Sequence, residues 1–273
     1  MKKIFFALAF SSLLIACKKE NSNPNSPVTK TPTTVEDTTK KTADSVSCLD
    51  NSKINFSCVG VPVGKLSYCI KDIDGNVYKT VVIGKQQWMA ENLKVTKYND
   101  GTVIPNVKDS LDWIKLSKGA WCYMKNDSSY NELYGKLYNW YVVGQKTIDN
   151  KNVCPIGWHV PTSTEWNELI EYLGGQMVAG GKIREIGLVH WLEPFLKDTK
   201  STNTSLFTAL PSGRSSVVDN IRFDGISKYA VWWTSSEKNK DFSSYIGLDY
   251  FIDILSPEEN RKQTGNSIRC IKD

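Results

Sequence analysis

Cysteine carries the most reactive chemistry in this 273-residue chain, which has seven Cys. Six remain once the one at position 17 is set aside, and an even number favours disulfides if the chain is exported. We expect Cys154 to pair with Cys270, because Cys270 lies in an alternating strand at the chain end that must be tied to something. The other predicted pairs are Cys48 with Cys58 and Cys69 with Cys122.

The first seventeen residues have the pattern of an export signal that ends in a lipid-attachment site. Two Lys precede an apolar run that is too short for an ordinary spanning helix. The run ends in Leu14-Ile15-Ala16-Cys17, which resembles the bacterial lipobox, where the Cys thiol receives a diacylglycerol and becomes residue one. Several acyl chains hold a protein more firmly than the marginal grip of one. We expect a signal peptide at 1–16 and a lipid anchor at Cys17; an ordinary signal peptide that contains a Cys is the alternative.

Residues 17–47 have the composition of a tether. The stretch from Lys18 to Ser47 has no aromatic residue and is rich in Thr, Ser, Pro, Asn and Lys, so it buries too little apolar surface to order itself. A coil of this length averages about 30 Å from end to end. An Asp directly after the acylated Cys retains lipoproteins at the inner membrane, but this position is Lys18. This favours an outer-membrane, surface-exposed location in the cell envelope. A short Cys-containing lead-in at 48–69 and a folded domain at 70–273 complete the chain.

Composition narrows the function. The full chain is 40% hydrophobic and 11% aromatic, and its net charge of +5 does not suggest a nucleic-acid partner unless the charge is concentrated in a patch. With two His and no Cys-x-x-Cys or His-x-x-x-His pair, we expect no metal site and no cofactor. His159 and His190 are predicted to be structural or surface residues. The carboxylates are numerous, so paired acid catalysis stays open, but no pair has an identifying context; examples are Glu165, Glu168, Asp249 and Asp253.

The elements that must position these groups are strands at both ends of the chain with helices between them. We predict a polar turn at 72–76, strands at 77–83 and 87–90, and a first helix from Glu132 to Val143. A second helix follows Pro161, since Thr162 and Glu165 form a capping box and an apolar stripe follows. Further strands are predicted at 206–210, 230–234, 244–250 and 267–271. The pattern indicates an α+β fold in which two main helices pack on an antiparallel sheet.

Six motifs run in order from about Ile70 to Asp273. They are Asp74-Gly75-Asn76-Val77-Tyr78, Trp88-Met89-Ala90-Glu91-Asn92-Leu93, Tyr134-Gly135 with Leu137-Tyr138-Asn139-Trp140, Cys154-Pro155-Ile156-Gly157-Trp158-His159-Val160-Pro161-Thr162, Trp232-Trp233-Thr234-Ser235-Ser236-Glu237 and Ser267-Ile268-Arg269-Cys270. Together they resemble the Fibrobacter succinogenes major paralogous domain of exported and lipid-anchored bacterial proteins.

The fourth motif, with Glu165-Trp166, is also similar to a segment of formylglycine-generating enzymes, whose fold is related to C-type lectins. The resemblance implies a C-type-lectin-like fold with a long, ligand-facing loop region in the C-terminal half, about Gly175 to Glu259. The resemblance does not imply the enzyme's chemistry. That chemistry needs a reactive pair of cysteines near the C-terminus, and only Cys270 lies there. Calcium-dependent sugar-binding lectins carry a Glu-Pro-Asn or Gln-Pro-Asp triplet. This chain has Glu193-Pro194 followed by Phe195, so calcium-dependent sugar binding is not expected either.

Aromatic and planar polar side chains in that loop region are the predicted ligand contacts, because aromatic faces stack on sugar rings and anchor protein interfaces. The candidates are Trp191, Arg214, Trp232, Trp233, Tyr245 and Tyr250. Trp232 and Trp233 are adjacent and point to opposite faces of a strand, so at most one of them is an outward platform. Most of the nine Trp belong to the core, and one or two are expected at the surface.

The leading hypothesis is therefore a surface-anchored lipoprotein that acts as a binding or adhesion module for glycan or protein ligands. Its partners are the membrane, through the lipid anchor, and a glycan or surface protein. An enzyme acting on cell-surface polysaccharide or protein and a structural subunit of a surface appendage are the alternatives.

Overall fold

The structure, a computed structural model, describes residues 66–143, 151–193, 201–216 and 222–273. The predicted signal peptide, the lipid site at Cys17, the tether, and Cys48 and Cys58 lie outside these residues. Within the described ranges, no helix combines the length and the apolar character that crossing a bilayer requires.

Antiparallel strands and short helices make up the described fold. The strands, numbered along the chain, are β1 (Leu66–Lys71), β2 (Val77–Ile83), β3 (Gln86–Met89), β4 (Trp121–Cys122), β5 (Leu137–Tyr138), β6 (Trp158–His159), β7 (Ser212–Ser215), β8 (Phe223–Ile226), β9 (Tyr229–Glu237), β10 (Phe242–Asp249), β11 (Leu255–Arg261) and β12 (Ile271–Lys272). The helices are α1 (Ser110–Ile114), α2 (Asn131–Tyr134), α3 (Trp140–Val143), α4 (Ser163–Tyr172) and α5 (Gln176–Ile183). The combination confirms the α+β class.

The first sheet joins both ends of the described chain. Its strand order is β1-β2-β3-β12-β6, so the last strand lies between two early ones. The Asp72 carboxylate orders the β1–β2 turn by accepting hydrogen bonds from the backbone N–H of Asp74 at 3.0 Å and of Asn76 at 2.9 Å. The predicted polar turn and the strand that follows it are confirmed.

The second sheet has the order β11-β10-β9, and both faces of β9 are buried. Trp232 belongs to a core that also holds the α4 stripe of Trp166, Leu169, Ile170 and Leu173. Trp233 belongs to a separate core with Tyr138 and Cys270. Adjacent strand residues alternate between faces, so β9 joins the two cores.

Helix α4 follows the local sequence rules. The Thr162 hydroxyl accepts from the Glu165 N–H at 3.2 Å, and the Glu165 carboxylate accepts from the Thr162 N–H at 2.7 Å. This reciprocal pair satisfies donors that a helix start leaves unpaired. The predicted capping box is confirmed.

The predicted single helix from Glu132 to Val143 is wrong. Helix α2 ends at Tyr134, because Gly135 has a φ of 73° and a Cβ there would lie 2.8 Å from the Leu93 carbonyl oxygen. The chain then forms β5 before α3 begins. Of the apolar residues at helical spacing, Leu137 in β5 and Trp140 in α3 are buried, whereas Leu133 in α2 is 41% exposed.

Two predicted strands also differ. Residues 206–210 form a loop, because Leu206 and Thr208 have φ values of 57° and 55°. Only Ile271 of the predicted 267–271 strand lies in a strand, β12. The strands predicted at 230–234 and 244–250 correspond to β9 and β10, although β10 ends at Asp249.

The cysteines are only partly as predicted. Cys154 and Cys270 form a disulfide with their Cα atoms 6.0 Å apart, which confirms that pair. Cys122 is a buried free thiol, so the predicted Cys69–Cys122 pair is wrong, although Cys69 is itself disulfide-bonded. Cys122 lies in a small apolar core with Trp113 and Leu137.

Candidate ligand-binding site

The three Trp candidates do not reach the surface. Trp232 and Trp233 are 0% exposed and Trp191 is 3% exposed. Each indole N–H has a buried acceptor: the Asn92 side chain for Trp232, the Tyr138 carbonyl for Trp233 and the Ala209 carbonyl for Trp191. The expectation of an outward Trp platform is wrong, and all nine Trp of the chain are buried.

The remaining candidates converge on a hollow in the second sheet. Arg214 and Tyr245 line a cavity of about 410 Å³. The Tyr250 ring lies 4.1 Å, between centroids, from the ring of Phe251, which also lines the cavity. We call this cavity the sheet hollow. Its lining comprises Arg214, Tyr229, Val231, Tyr245, Gly247, Leu248, Asp249, Phe251, Ile252, Ile254, Ser256 and Glu258.

The strand register explains why the surface is concave there. In β10, Tyr245 pairs with Glu258 of β11, and Gly247 pairs with Val231 of β9 and Ser256 of β11. Directly paired residues project on the same face. Gly247 contributes no side chain at the centre of this face, and the larger neighbours form the rim around it.

Polar groups on the rim are held in fixed positions. The Tyr245 hydroxyl donates a hydrogen bond to the Glu258 carboxylate. Burial, followed by this bond, raises the pKa of Tyr245, so the hydroxyl stays protonated and remains the donor of the pair. Arg214 on β7 faces its cross-strand partner Asp224 with a nitrogen–oxygen distance of 3.6 Å, and its guanidinium lies 5.7 Å from the Tyr229 ring centroid.

A buried arginine holds one wall of the hollow. The Arg184 side chain, 2% exposed, donates to the carbonyls of Asp249, of Tyr250 at 3.3 Å and of Ile252 at 2.9 Å. Its Nε lies 3.2 Å from the Asp253 carboxylate. Burial lowers the pKa of Arg184, and Asp253 and Asp249 oppose that change. The wall at 249–253 is therefore fixed by several bonds to one guanidinium.

The hollow is suited to binding. Ring faces, aliphatic side chains, two carboxylates and one guanidinium surround it, and such a mixture can pack a ligand's apolar face while orienting its polar groups. Among the described residues, no three His, Cys, Asp or Glu side chains come together as metal ligands.

The two His lie elsewhere and bind carboxylates. His159 Nδ1 lies 2.6 Å from Asp273 and its Nε2 lies 2.9 Å from Glu165, so it joins the chain end to the start of α4. Burial raises the pKa of Glu165, but hydrogen bonds from Thr162 and His159 outweigh it and the net pKa is lowered. Glu168 accepts from Gln86 at 3.3 Å.

Sequence reasoning missed Gly247, Tyr229 and Glu258 as parts of the site. The alternation Tyr245-x-Gly247-x-Asp249 was a usable signal, because it places a residue without a side chain between two polar ones on one strand face. Glu258 follows Pro257 in a charged stretch that gave no strand pattern.

The comparisons with known proteins support the motif resemblance. No curated protein and no solved structure matches the chain. The model of one family, the Fibrobacter succinogenes major domain, matches residues 81–272, which include the sheet hollow, the cystine and both His. The chain belongs to the Fibrobacter succinogenes major domain family.

Proposed function

We propose that the protein is a surface-anchored lipoprotein of the outer membrane whose C-type-lectin-like head binds a glycan or protein ligand in the sheet hollow. The observation that carries this is the side-chain-free position at Gly247, ringed by Tyr229, Tyr245 and Glu258. The lipobox at Cys17 and the polar 17–47 segment support presentation away from the bilayer.

The mixed rim favours a sugar end group. Tyr229 and Phe251 offer ring faces for the apolar side of a pyranose. Asp249 and Glu258 can accept from hydroxyl groups and Arg214 can donate to them. A flat, purely apolar surface would favour a protein interface instead.

The test is a glycan array and a host-matrix panel probed with the acylated full-length chain in nanodiscs. Gly247→Leu should abolish binding while the protein stays folded, since a Cβ at Gly247 meets its nearest neighbours at an ordinary 3.4 Å. Lys240→Leu, which adds the same side chain at an exposed site between β9 and β10, should bind as wild type. A panel without a ligand, or a ligand retained by Gly247→Leu, would overturn the proposal.

A hydrolase is the second candidate, because Asp249 and Glu258 line the same hollow and paired carboxylates cleave glycosides. Asp249 is also oriented, accepting from the Phe251 N–H at 2.9 Å. Turnover of a bound polysaccharide that Glu258→Gln lowers, at saturating substrate, by more than its weaker binding accounts for would establish this activity. Binding without turnover would support the binding module over the hydrolase.

A further inference from the structure

Two carboxylates of the sheet hollow share one face with the side-chain-free position. In β10, Tyr245, Gly247 and Asp249 are alternate residues and project on the same face. Glu258 of β11 pairs with Tyr245 and projects on that face too. A Cβ at Gly247 would lie 3.4 Å from Glu258 Oε1. A ligand group that fills the place over Gly247 therefore meets the Glu258 carboxylate, on the face that Asp249 shares.

Both carboxylates are held by neutral donors. Glu258 Oε2 accepts from the Tyr245 hydroxyl, and Asp249 Oδ1 accepts from a backbone N–H at 2.9 Å. Arg184 donates to the backbone carbonyl of Asp249, whereas its own ion-pair partner is Asp253. Among the described residues, no Lys, Arg or His nitrogen lies within 4.0 Å of the Asp249 or Glu258 carboxylate. The second oxygen of each carboxylate is therefore available to a cationic ligand group.

The one cation in the lining of the hollow does not balance these charges. Arg214 faces a carboxylate of its own, Asp224, at 3.6 Å. The ring of Tyr229 lies among these groups, and burial raises its pKa. Asp249 and Asp224 raise that pKa further, and Arg214 opposes them by less than either carboxylate contributes. The hollow is therefore locally negative in a chain whose net charge is +5, so a cation is attracted to this site and not to the molecule at large.

The rest of the lining suits a sugar ring better than a lysine side chain. Tyr229 and Phe251 supply ring faces, which pack against the apolar side of a pyranose and also attract a cation. Arg214 and Ser256 can donate to hydroxyl groups, which a lysine side chain does not have. The cavity of about 410 Å³ is also wide for an unbranched alkyl chain. A sugar that carries an ammonium group uses all of these features together.

We propose that the sheet hollow selects a hexosamine with a free amino group, whose ammonium binds over Gly247 at the Glu258 carboxylate. An N-acetyl group in its place has no charge for Glu258 and Asp249 to attract, and a hydroxyl group makes only the weaker, uncharged hydrogen bond. An acidic sugar is repelled by the same two carboxylates. This proposal rests on the binding function proposed for the hollow and names the class of its ligand.

The probes are oligosaccharides of glucosamine and of galactosamine, each compared with its N-acetylated form and with the parent glucose or galactose oligomer. Calorimetry measures their binding to the full-length chain in phosphatidylcholine nanodiscs at about pH 6, where a primary amine is charged. The test variant Asp249→Asn/Glu258→Gln removes both charges and keeps the side-chain volumes. Its matched control is Asp241→Asn/Glu259→Gln, at exposed positions outside the lining, and Gly247→Leu shows whether binding occurs in the hollow.

In at least one of the two series, the free-amine oligomer should bind about tenfold or more tightly than both of its analogues, as a charge-assisted hydrogen bond predicts. The variant Asp249→Asn/Glu258→Gln should lose most of this preference, and its matched control should keep it. Gly247→Leu should abolish the binding of every oligomer.

An N-acetylated or neutral oligomer that binds as tightly as the free amine, and is lost in Gly247→Leu, would overturn the hexosamine assignment and leave the hollow as a binding site for another ligand. A preference for the amine that Asp249→Asn/Glu258→Gln retains would also overturn the assignment, as would a lysine peptide that competes as well as the sugar. If no oligomer binds, the assignment fails, and the glycan array and matrix panel decide separately whether the hollow binds any ligand.

Discussion

Removal of the Cys154–Cys270 disulfide should lower the free energy of unfolding by about 5 kcal/mol. The link joins residues 116 positions apart, and in the chain-entropy account a cross-link of that span restricts the unfolded chain by about 5 kcal/mol at 25 °C. Domains are stable by only about 5–15 kcal/mol. The double variant Cys154→Ala/Cys270→Ala should therefore be close to unfolding.

Urea unfolding at 25 °C, followed by tryptophan fluorescence, measures the loss. With a slope of about 2 kcal/mol per molar urea, the midpoint should fall by about 2.5 M. Cys122→Ala is the control, since it shortens a buried Cys side chain without opening a cross-link and should cost only about 1 kcal/mol. A loss in the double variant no larger than that of the control would refute the entropic reasoning.

Three further predictions concern titratable side chains. Burial lowers the pKa of Lys136 to about 8, so the folded state binds fewer protons than the unfolded state between pH 8 and about 10.5. Over this pH range the free energy of unfolding should rise by up to about 3 kcal/mol more in the wild type than in Lys136→Met. The same change in urea midpoint between pH 7.5 and pH 10 in both proteins would contradict this. Burial raises the pKa of the Cys122 thiol to about 11, so a thiol reagent should label it only on unfolding; fast labelling of the folded protein would contradict its burial. Glu165→Gln should lower the free energy of unfolding by about 1 kcal/mol above pH 4.5, and this difference should shrink as the pH falls through the lowered pKa of Glu165. A loss that urea titrations find to be independent of pH would count against the role of the carboxylate.

Features fixed by neighbours in sequence could be predicted. The start of α4 depends on Thr162 and Glu165, three positions apart, and the stripe that follows has a helical period. The turn at Asp72 is equally local.

Features fixed by distant parts of the chain could not. Gly135 ends α2 because the carbonyl of Leu93 lies against it, and the residues near position 135 do not predict that contact. The high Trp content led to the prediction of exposed Trp platforms. That prediction failed because composition does not show which indole N–H groups find a buried acceptor. Asn92 is such an acceptor, and it lies 140 positions from Trp232.

Trp191 was predicted to contact ligand, and the structure assigns it a different connection to the hollow. Its ring centroid lies 4.5 Å from the Arg184 guanidinium, which holds the wall at 249–253. Under the binding function proposed for the hollow, Trp191→Ala should therefore weaken ligand binding by loosening Arg184, although Trp191 does not line the hollow. Stacking of this kind contributes about 1–2 kcal/mol when desolvated, so about a tenfold loss is expected.

Hydrogen exchange separates this indirect role from direct contact. In Trp191→Ala the amides of residues 249–253 should exchange faster without ligand, and Trp191→Phe, which keeps a ring face over Arg184, should restore most of the protection and the affinity. Glu258→Gln changes a rim residue directly and should weaken binding without altering exchange at the wall. Unchanged exchange in Trp191→Ala with lost binding would mean that the indole reaches the ligand after all, and that its 3% exposure in the free protein does not describe the bound state.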